Sequence, residues 1–209
     1  MKGINTEVMA TTLVLFFTIG LLFYVFSYRL KSDGNVEKEL MQLATEYTKD
    51  EFHSEIKMNE IMHDYMGNFP DFEYAVKAHD EEDGIDFLIY ENKKNEKIED
   101  TYIANKFAQQ LKATIIPFLE EKLGTWERFF ISYDQRIGST FEINVNEKVN
   151  YTEFAAKPSI LLFVPRDAQK GDENIMYEII EFLKNGAGLH HGQLTIEFGK
   201  NGTVRSRQF

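Results

Sequence analysis

The chain of 209 residues contains no cysteine. This absence excludes disulfide bonds, thiolate nucleophiles and cysteine zinc sites together, because each of them needs a thiol group. Basic residues are also scarce beside acidic ones: 23 Lys and Arg against 34 Asp and Glu give a formal net charge of −11. Because binding to phosphates requires a basic face, a nucleic acid is not an expected partner.

Motifs of catalysis are lacking as well. No Gly-x-Ser-x-Gly elbow occurs, and the glycine-rich residues 186–192 lack the Lys-Ser or Lys-Thr end of a phosphate loop. His190 and His191 are adjacent in the sequence, and neighbouring side chains on a strand point to opposite faces, which disfavours a shared metal ion. We therefore expect no enzymatic activity, no cofactor and no metal site.

One long apolar run is present, and it organises the chain. The segment from Val8 to Tyr28 contains no charged side chain. A helix of about 20 residues rises roughly 30 Å, which is the thickness of the hydrocarbon layer of a bilayer. The sequence therefore predicts a transmembrane helix over residues 8–28, after a short flank at residues 1–7.

A cleaved secretory signal is the alternative interpretation of this run. The run is longer than the hydrophobic part of a signal peptide, and the following residues, Tyr28 to Lys31, offer no small-x-small cleavage site. An uncleaved signal anchor is therefore predicted, which makes the chain a single-pass membrane protein with the lipid bilayer as one partner.

The orientation of this anchor rests on weaker signals, because basic residues flank both of its ends. Asn150 and Asn201 each begin an Asn-x-Thr glycosylation acceptor sequence, and the acidic balance after the segment disfavours contact with an anionic inner leaflet. We expect a large extracytoplasmic domain and a glycoprotein, with a cytoplasm-facing domain as the alternative.

The residues before the apolar run carry a family resemblance. Lys2 and Gly3, a short stretch, and then Glu7, Val8 and Met9 ahead of a long apolar helix resemble the start of type IV pilins and pseudopilins, including archaeal pilin-like proteins. That resemblance implies cleavage after Gly3 and a role for Glu7 in setting the register between subunits. Members of the family usually place this Glu fifth after the Gly, whereas Glu7 is fourth. The alternative is that Lys2 and Glu7 form an ordinary membrane flank.

Residues 29–67 show apolar positions at helical spacing and predict a helical stalk, broken near Thr48 to Glu51 and ended by Gly67. The remaining residues, 68–209, predict one globular domain. Alternating apolar residues around the acidic sequence Asp80 to Asp83 predict a hairpin with a solvated turn, which we favour over a calcium loop. Residues 92–101 predict an exposed linker.

The second half of the chain predicts a long helix kinked at Pro117 and ended by Gly124, and then strands over residues 126–133 and 141–145. A central strand at residues 159–164, a helix ending near Gly186 and a final hairpin turning at residues 200–202 follow. The fold class is therefore α+β: an N-terminal transmembrane helix and one ectodomain of antiparallel sheet with packed helices.

These features predict a membrane-anchored extracytoplasmic protein that acts in assembly or surface contact, with protein partners or self-assembly, as a pilin-like subunit would. The alternative is a membrane-tethered sensor or ligand-binding module with a pocket rich in aromatic residues, since the chain has 18 Phe and 10 Tyr.

Overall fold

The computed structural model describes residues 15–21, 24, 33–199 and 202–209. Residues 15–21 and Tyr24 are helical, and the rest of the predicted Val8 to Tyr28 segment lies outside the described residues. No helix within the described residues has the length and apolar character needed to cross a membrane.

Helix α1 spans Gly34–Glu51. The side chain of Asp33 caps its first turn by accepting a hydrogen bond from the backbone N–H of Asn35. Leu40, Ala44 and Thr48 recur at intervals of four residues, so they lie on one face, and all three are buried. This helix therefore packs into the protein core, whereas the sequence predicts a stalk.

The predicted second piece of that helix, up to Gly67, is wrong. Strand β1 spans Ile56–His63 and pairs antiparallel with strand β2, Tyr74–Asp80. A short apolar run fits either a helix or a strand, and here the backbone groups find partners in the neighbouring strand. Pairing across the sheet therefore decided the structure of this segment.

The first sheet has the order β1-β2-β3-β4, with β3 at Ile85–Glu91 and β4 at Ile98–Asp100. The predicted hairpin of β2 and β3 is confirmed, and Gly84 closes its turn with a φ of 65°. The predicted linker over residues 92–101 contains β4, which pairs with the end of β3.

Helix α2 spans Tyr102–Leu123, contains Pro117 and ends at Gly124, whose φ is 73°. It packs against β3 of the first sheet and against β5, Arg128–Ser132, of the second sheet. Phe107, Leu111 and Ile115 are fully buried along its length. The helix thus joins both sheets to one hydrophobic core.

The second sheet has the order β5-β6-β7-β8, with β6 at Ser159–Val164, β7 at Gln193–Phe198 and β8 at Thr203–Gln208. The predicted central strand β6 is confirmed. It runs parallel to β7, and helix α4, Asp172–Asn185, makes the connection that parallel strands require.

The predicted strand over residues 141–145 is wrong. Helix α3, Ile137–Thr140, and a 3-10 turn at Tyr151–Glu153 flank this segment, which pairs with no strand in the described part of the chain. Glu142 has a φ of 53°, which is incompatible with an extended strand.

The fold is a mixed α+β arrangement of two mainly antiparallel sheets with packed helices. The sequence predicts one sheet, whereas the described residues form two sheets that share a core. Leu40 and Ala44 of α1 belong to the same core cluster as Leu162 and Ile196 of the second sheet.

Candidate functional site

The candidate site is a cavity of about 490 Å³ at the end of the first sheet where the β2–β3 turn lies. Three other parts of the chain complete its wall: the residues that follow α1, the first turns of α2, and residues 145–150. The cavity thus lies where the end of α1 meets the start of α2.

Asp80 forms the floor of this cavity and is 1% exposed. One of its carboxylate oxygens, Oδ2, accepts hydrogen bonds from Ser54 Oγ at 3.0 Å and Tyr102 Oη at 2.8 Å. The other, Oδ1, accepts from the backbone N–H groups of Glu82 at 2.9 Å and Asp83 at 3.3 Å. The predicted solvated turn is therefore wrong for Asp80, because its strand alternation places it on the same face as the buried Val76 and Ala78.

The Tyr102 hydroxyl lies between two carboxylates, since its oxygen is also 2.9 Å from Asp83 Oδ2. A phenol has one proton, so it donates to one of the two carboxylates at a time. Lys106 Nζ, 3.1 Å from Asp83 Oδ2 and 5.4 Å from the centre of the Tyr102 ring, supplies a positive charge to this pair.

This arrangement shifts two pKa values in opposite directions. Hydrogen bonds from Lys106 and then from Tyr102 hold the pKa of Asp83 below its ordinary value. Burial, followed by the hydrogen bonds to Asp80 and Asp83, raises the pKa of Tyr102 far above that of a free phenol. At neutral pH the wall therefore contains a neutral phenol beside the charged carboxylate of Asp83.

Two side-chain amides fasten residues 144–151 against the two helices. Asn146 accepts from the backbone N–H of His53 at 2.8 Å and donates to the carbonyl of Glu51 at 2.7 Å. Gln110 donates to the carbonyl of Val149 at 2.9 Å and accepts from the N–H of Tyr151 at 3.1 Å. The outer wall of the cavity is thus held in place without a ligand.

Charged side chains of both signs remain available at the rim. Glu82 and Lys148 line the cavity, and neither side chain makes a hydrogen bond or ion pair within the described part of the chain. His53 lines the cavity beside them and is also exposed. Among the described residues the rim therefore offers an anion and a cation without a direct polar contact, and the charge of Lys148 also acts on Asp83 from a longer distance.

The residues predicted from the sequence as assembly sites, Gly3 and Glu7, lie outside the described residues, as does Asn201. Asn150 is exposed at the edge of the cavity. Its Oδ1 accepts from the backbone N–H of Thr152 at 3.0 Å and from the hydroxyl of Thr152 at 2.9 Å.

The histidines that follow α4, His190 and His191, are both exposed in the turn before β7. Across residues 15–21, 24, 33–199 and 202–209, no group of three or more His, Asp or Glu side chains is arranged to hold a metal ion.

Sequence reasoning did not single out Tyr102 or Lys106. In the sequence, Tyr102 at the start of α2 looks like any other apolar residue of that helix. Its hydroxyl becomes part of the site because the β2–β3 turn brings Asp80 and Asp83 within hydrogen-bond distance. For Asp80 a signal did exist, because it continues the core-facing alternation of Val76 and Ala78.

Comparisons with known proteins place this chain in no family. No protein-family model and no curated protein matches it. A crystal structure of a DUF5037 family protein from Ruminococcus gnavus ATCC 29149 is similar over 76% of this chain and 74% of that chain, with 14% sequence identity and a TM-score of 0.37.

Proposed function

We propose that this chain is a membrane-tethered binding module whose folded domain holds a small polar molecule. The observation that carries the proposal is the cavity of about 490 Å³, a volume within the usual range for ligand pockets. Its wall is fastened by Asn146 and Gln110 rather than by a ligand, and such a pre-formed site loses little freedom on binding.

The charges of the rim indicate the class of ligand. Glu82 and Lys148 are of opposite sign and make no hydrogen bond or ion pair with any described residue, whereas the carboxylates of Asp80 and Asp83 already have hydrogen-bond donors. A small zwitterion, with an ammonium and a carboxylate, satisfies both rim charges and leaves the inner network intact. The role proposed for these residues is recognition, with no catalytic step.

The tether in this proposal is the apolar segment Val8 to Tyr28. Its described part is helical, and the large apolar side chains there are 53–74% exposed: Leu15, Phe16, Phe17, Ile19, Leu21 and Tyr24. The folded domain does not cover these side chains. A helix that is apolar all round needs an apolar environment, which a bilayer supplies.

Thermal unfolding of the full-length chain in detergent micelles tests the ligand proposal. Free glycine, alanine and glutamate serve as zwitterionic probes, with acetate and methylamine as singly charged controls. A zwitterion present at about 100 times its dissociation constant raises the melting temperature by roughly 5–10 °C. Glu82→Gln should abolish that rise.

Glu81→Gln is the matched control, because Glu81 is the neighbouring carboxylate outside the cavity, and its Oε1 lies 3.9 Å from Lys57 Nζ. Equal stabilisation of the Glu82→Gln and Glu81→Gln variants, or stabilisation by acetate alone, would contradict the proposed site.

The folded domain is proposed to face outward, on the strength of the two acceptor sequences at Asn150 and Asn201. Protease added to intact cells should then remove the mass that follows Arg29. Full protection of that mass, with cleavage of an N-terminal tag in the same cells, would reverse the orientation.

Assembly as a pilin-like subunit is the second candidate. The exposed apolar side chains at residues 15–21 favour it too, because helices of neighbouring subunits are another apolar environment. If Gly3 is a cleavage site, the new amino terminus at Ile4 can pair with Glu7 of a neighbour. Glu7→Leu should then disrupt oligomers while preserving membrane insertion, and unchanged oligomers with an intact Met1 would leave only the tether.

A further inference from the structure

The turn between β1 and β2 carries two large apolar side chains outward. Tyr65 is 56% exposed and Met66 is 72% exposed, at the end of the first sheet opposite to the cavity. Folding of the domain leaves more than half of each side chain exposed to solvent.

This turn has a defined shape. Asp64 is 9% exposed and its Oδ2 accepts from the backbone N–H of Phe69 at 2.6 Å. Burial raises the pKa of Asp64, but the N–H groups of Phe69, Asn68 and Gly67 outweigh that effect and leave it below the ordinary value. Gly67 adopts a φ of 72°, which bends the chain back. Tyr65 and Met66 are therefore presented in a fixed position.

Contacts between rings connect the turn to the point where the N-terminal segment enters the domain. The N–H of Asp33 donates to Tyr74 Oη at 3.2 Å. The Tyr74 ring stacks on His63 at 4.4 Å, and the His63 ring lies 6.2 Å from that of Tyr65. The turn and the start of α1 thus share one end of the molecule.

Chain length limits how far this end lies from the proposed membrane segment. Asp33 is five residues beyond Tyr28. Even a fully extended chain covers only about 18 Å over that interval. If Tyr28 lies at the bilayer boundary, the end of the domain with Tyr65 and Met66 is held next to the head-group layer.

The turn that follows β3 carries two lysines, and their attraction to anionic lipid is weak. Lys93 and Lys94 follow β3 at the same end, and they pair with Glu73 at 3.9 Å and Asp71 at 2.6 Å. Because these charges are balanced within the protein, apolar insertion dominates over attraction to anionic lipid. Tyrosine is enriched at membrane interfaces, where its ring meets acyl chains and its hydroxyl meets water.

We propose that the turn of Tyr65 and Met66 inserts into the interface of the bilayer that holds the N-terminal segment, and so fixes the domain upright with the cavity facing away from the membrane. This second membrane contact rests on the tether proposed above.

Fluorescence of the full-length chain in lipid vesicles tests the contact. Trp126→Phe removes the one tryptophan, and Tyr65→Trp then places a probe at the tip of the turn. We expect a blue-shifted emission and a loss of intensity when the phosphatidylcholine is replaced by phosphatidylcholine brominated near the head group. Added anionic lipid or salt should change the quenching little. Tyr177→Trp in the same background is the control, because Tyr177 is 46% exposed on α4 and should stay unquenched.

The outcomes separate this inference from the tether. A chain that resists alkaline extraction from the vesicles but shows no quenching of the Tyr65→Trp probe overturns the interface contact and leaves the tether intact. A chain that alkaline extraction removes from the vesicles overturns both. A blue-shifted but unquenched probe together with oligomers identifies a second copy as the occupant, which also overturns the contact with lipid.

Discussion

The two ends of the first sheet each contain a buried aspartate, and the two aspartates are satisfied in different ways. Asp64 accepts backbone N–H groups from its own turn, within five residues. Asp80 accepts from Ser54 and Tyr102, which belong to other parts of the chain, as well as from its own turn. The first arrangement is local and presents side chains outward. The second joins distant elements and leaves a concave polar site between them.

Removal of Asp80 should give the largest effect on stability. Asp80→Ala leaves two backbone N–H groups and the Ser54 hydroxyl without their acceptor in a site that is 1% exposed. The free energy of unfolding of the full-length chain in micelles, measured with urea, should fall by about 2–3 kcal/mol. Asp64→Ala, at the other end, should cost less, because water reaches the freed N–H groups of a surface turn. A larger loss of stability for Asp64→Ala than for Asp80→Ala would contradict the view that the long-range bonds of Asp80 matter more than the local bonds of Asp64.

Removal of Asn146 should have the next largest effect. Asn146→Ala deletes two hydrogen bonds that hold residues 144–151 to the end of α1, and we expect a loss of about 1–2 kcal/mol. Hydrogen exchange should quicken at His53 and over residues 144–151 and stay unchanged in the turn at Tyr65. Faster exchange at Tyr65 would show that the two ends are coupled.

Titration should also distinguish the two ends. Lys106 and Tyr102 lower the pKa of Asp83, so its contribution to stability is present above about pH 4 and is lost as the pH falls through the lowered value. Carboxyl NMR should show the pKa of Asp83 rising in Lys106→Met or in high salt. The pKa of Asp64 should rise less, because backbone N–H groups lower it more than the charge of Lys93 does. An equal rise in the pKa values of Asp83 and Asp64 would mean that charged side chains control the titration at both ends of the sheet.

The smallest effect on stability is expected for the exposed tip. Tyr65→Ser and Met66→Ser remove side chains that are 56% and 72% exposed, so the free energy of unfolding should change by no more than about 0.5 kcal/mol. A loss comparable to that of Asn146→Ala would show that these residues serve the fold rather than a contact.

Local patterns predicted several elements in both halves of the chain. The spacing of Phe107, Leu111 and Ile115 predicted α2, and Gly124 ended it as expected. The alternation on either side of residues 80–84 predicted the β2–β3 hairpin, and the apolar run at residues 159–164 predicted β6. These elements carry their own periodicity and turn residues, so no distant partner was needed to recognise them.

The failures share a physical cause. Residues 56–63 have apolar positions that fit a helix, and their pairing with β2 makes them a strand. Residues 141–145 have alternating apolar positions that fit a strand, and the φ of 53° at Glu142 and the absence of a strand partner among the described residues prevent one. In both cases the neighbours in space overrode a short local pattern.

The sequence by itself excluded thiol-based sites and disfavoured a nucleic-acid partner through its composition. It also determined the apolar segment at Val8 to Tyr28 and the elements with strong periodicity, because these depend on residues close together in the chain. Only the tertiary structure decided that two sheets share one core and that Ser54, Asp80, Tyr102 and Lys106 meet at one cavity. Those residues are far apart in sequence and individually ordinary. Their chemistry arises when α1, the β2–β3 turn and α2 converge and exclude water from Asp80.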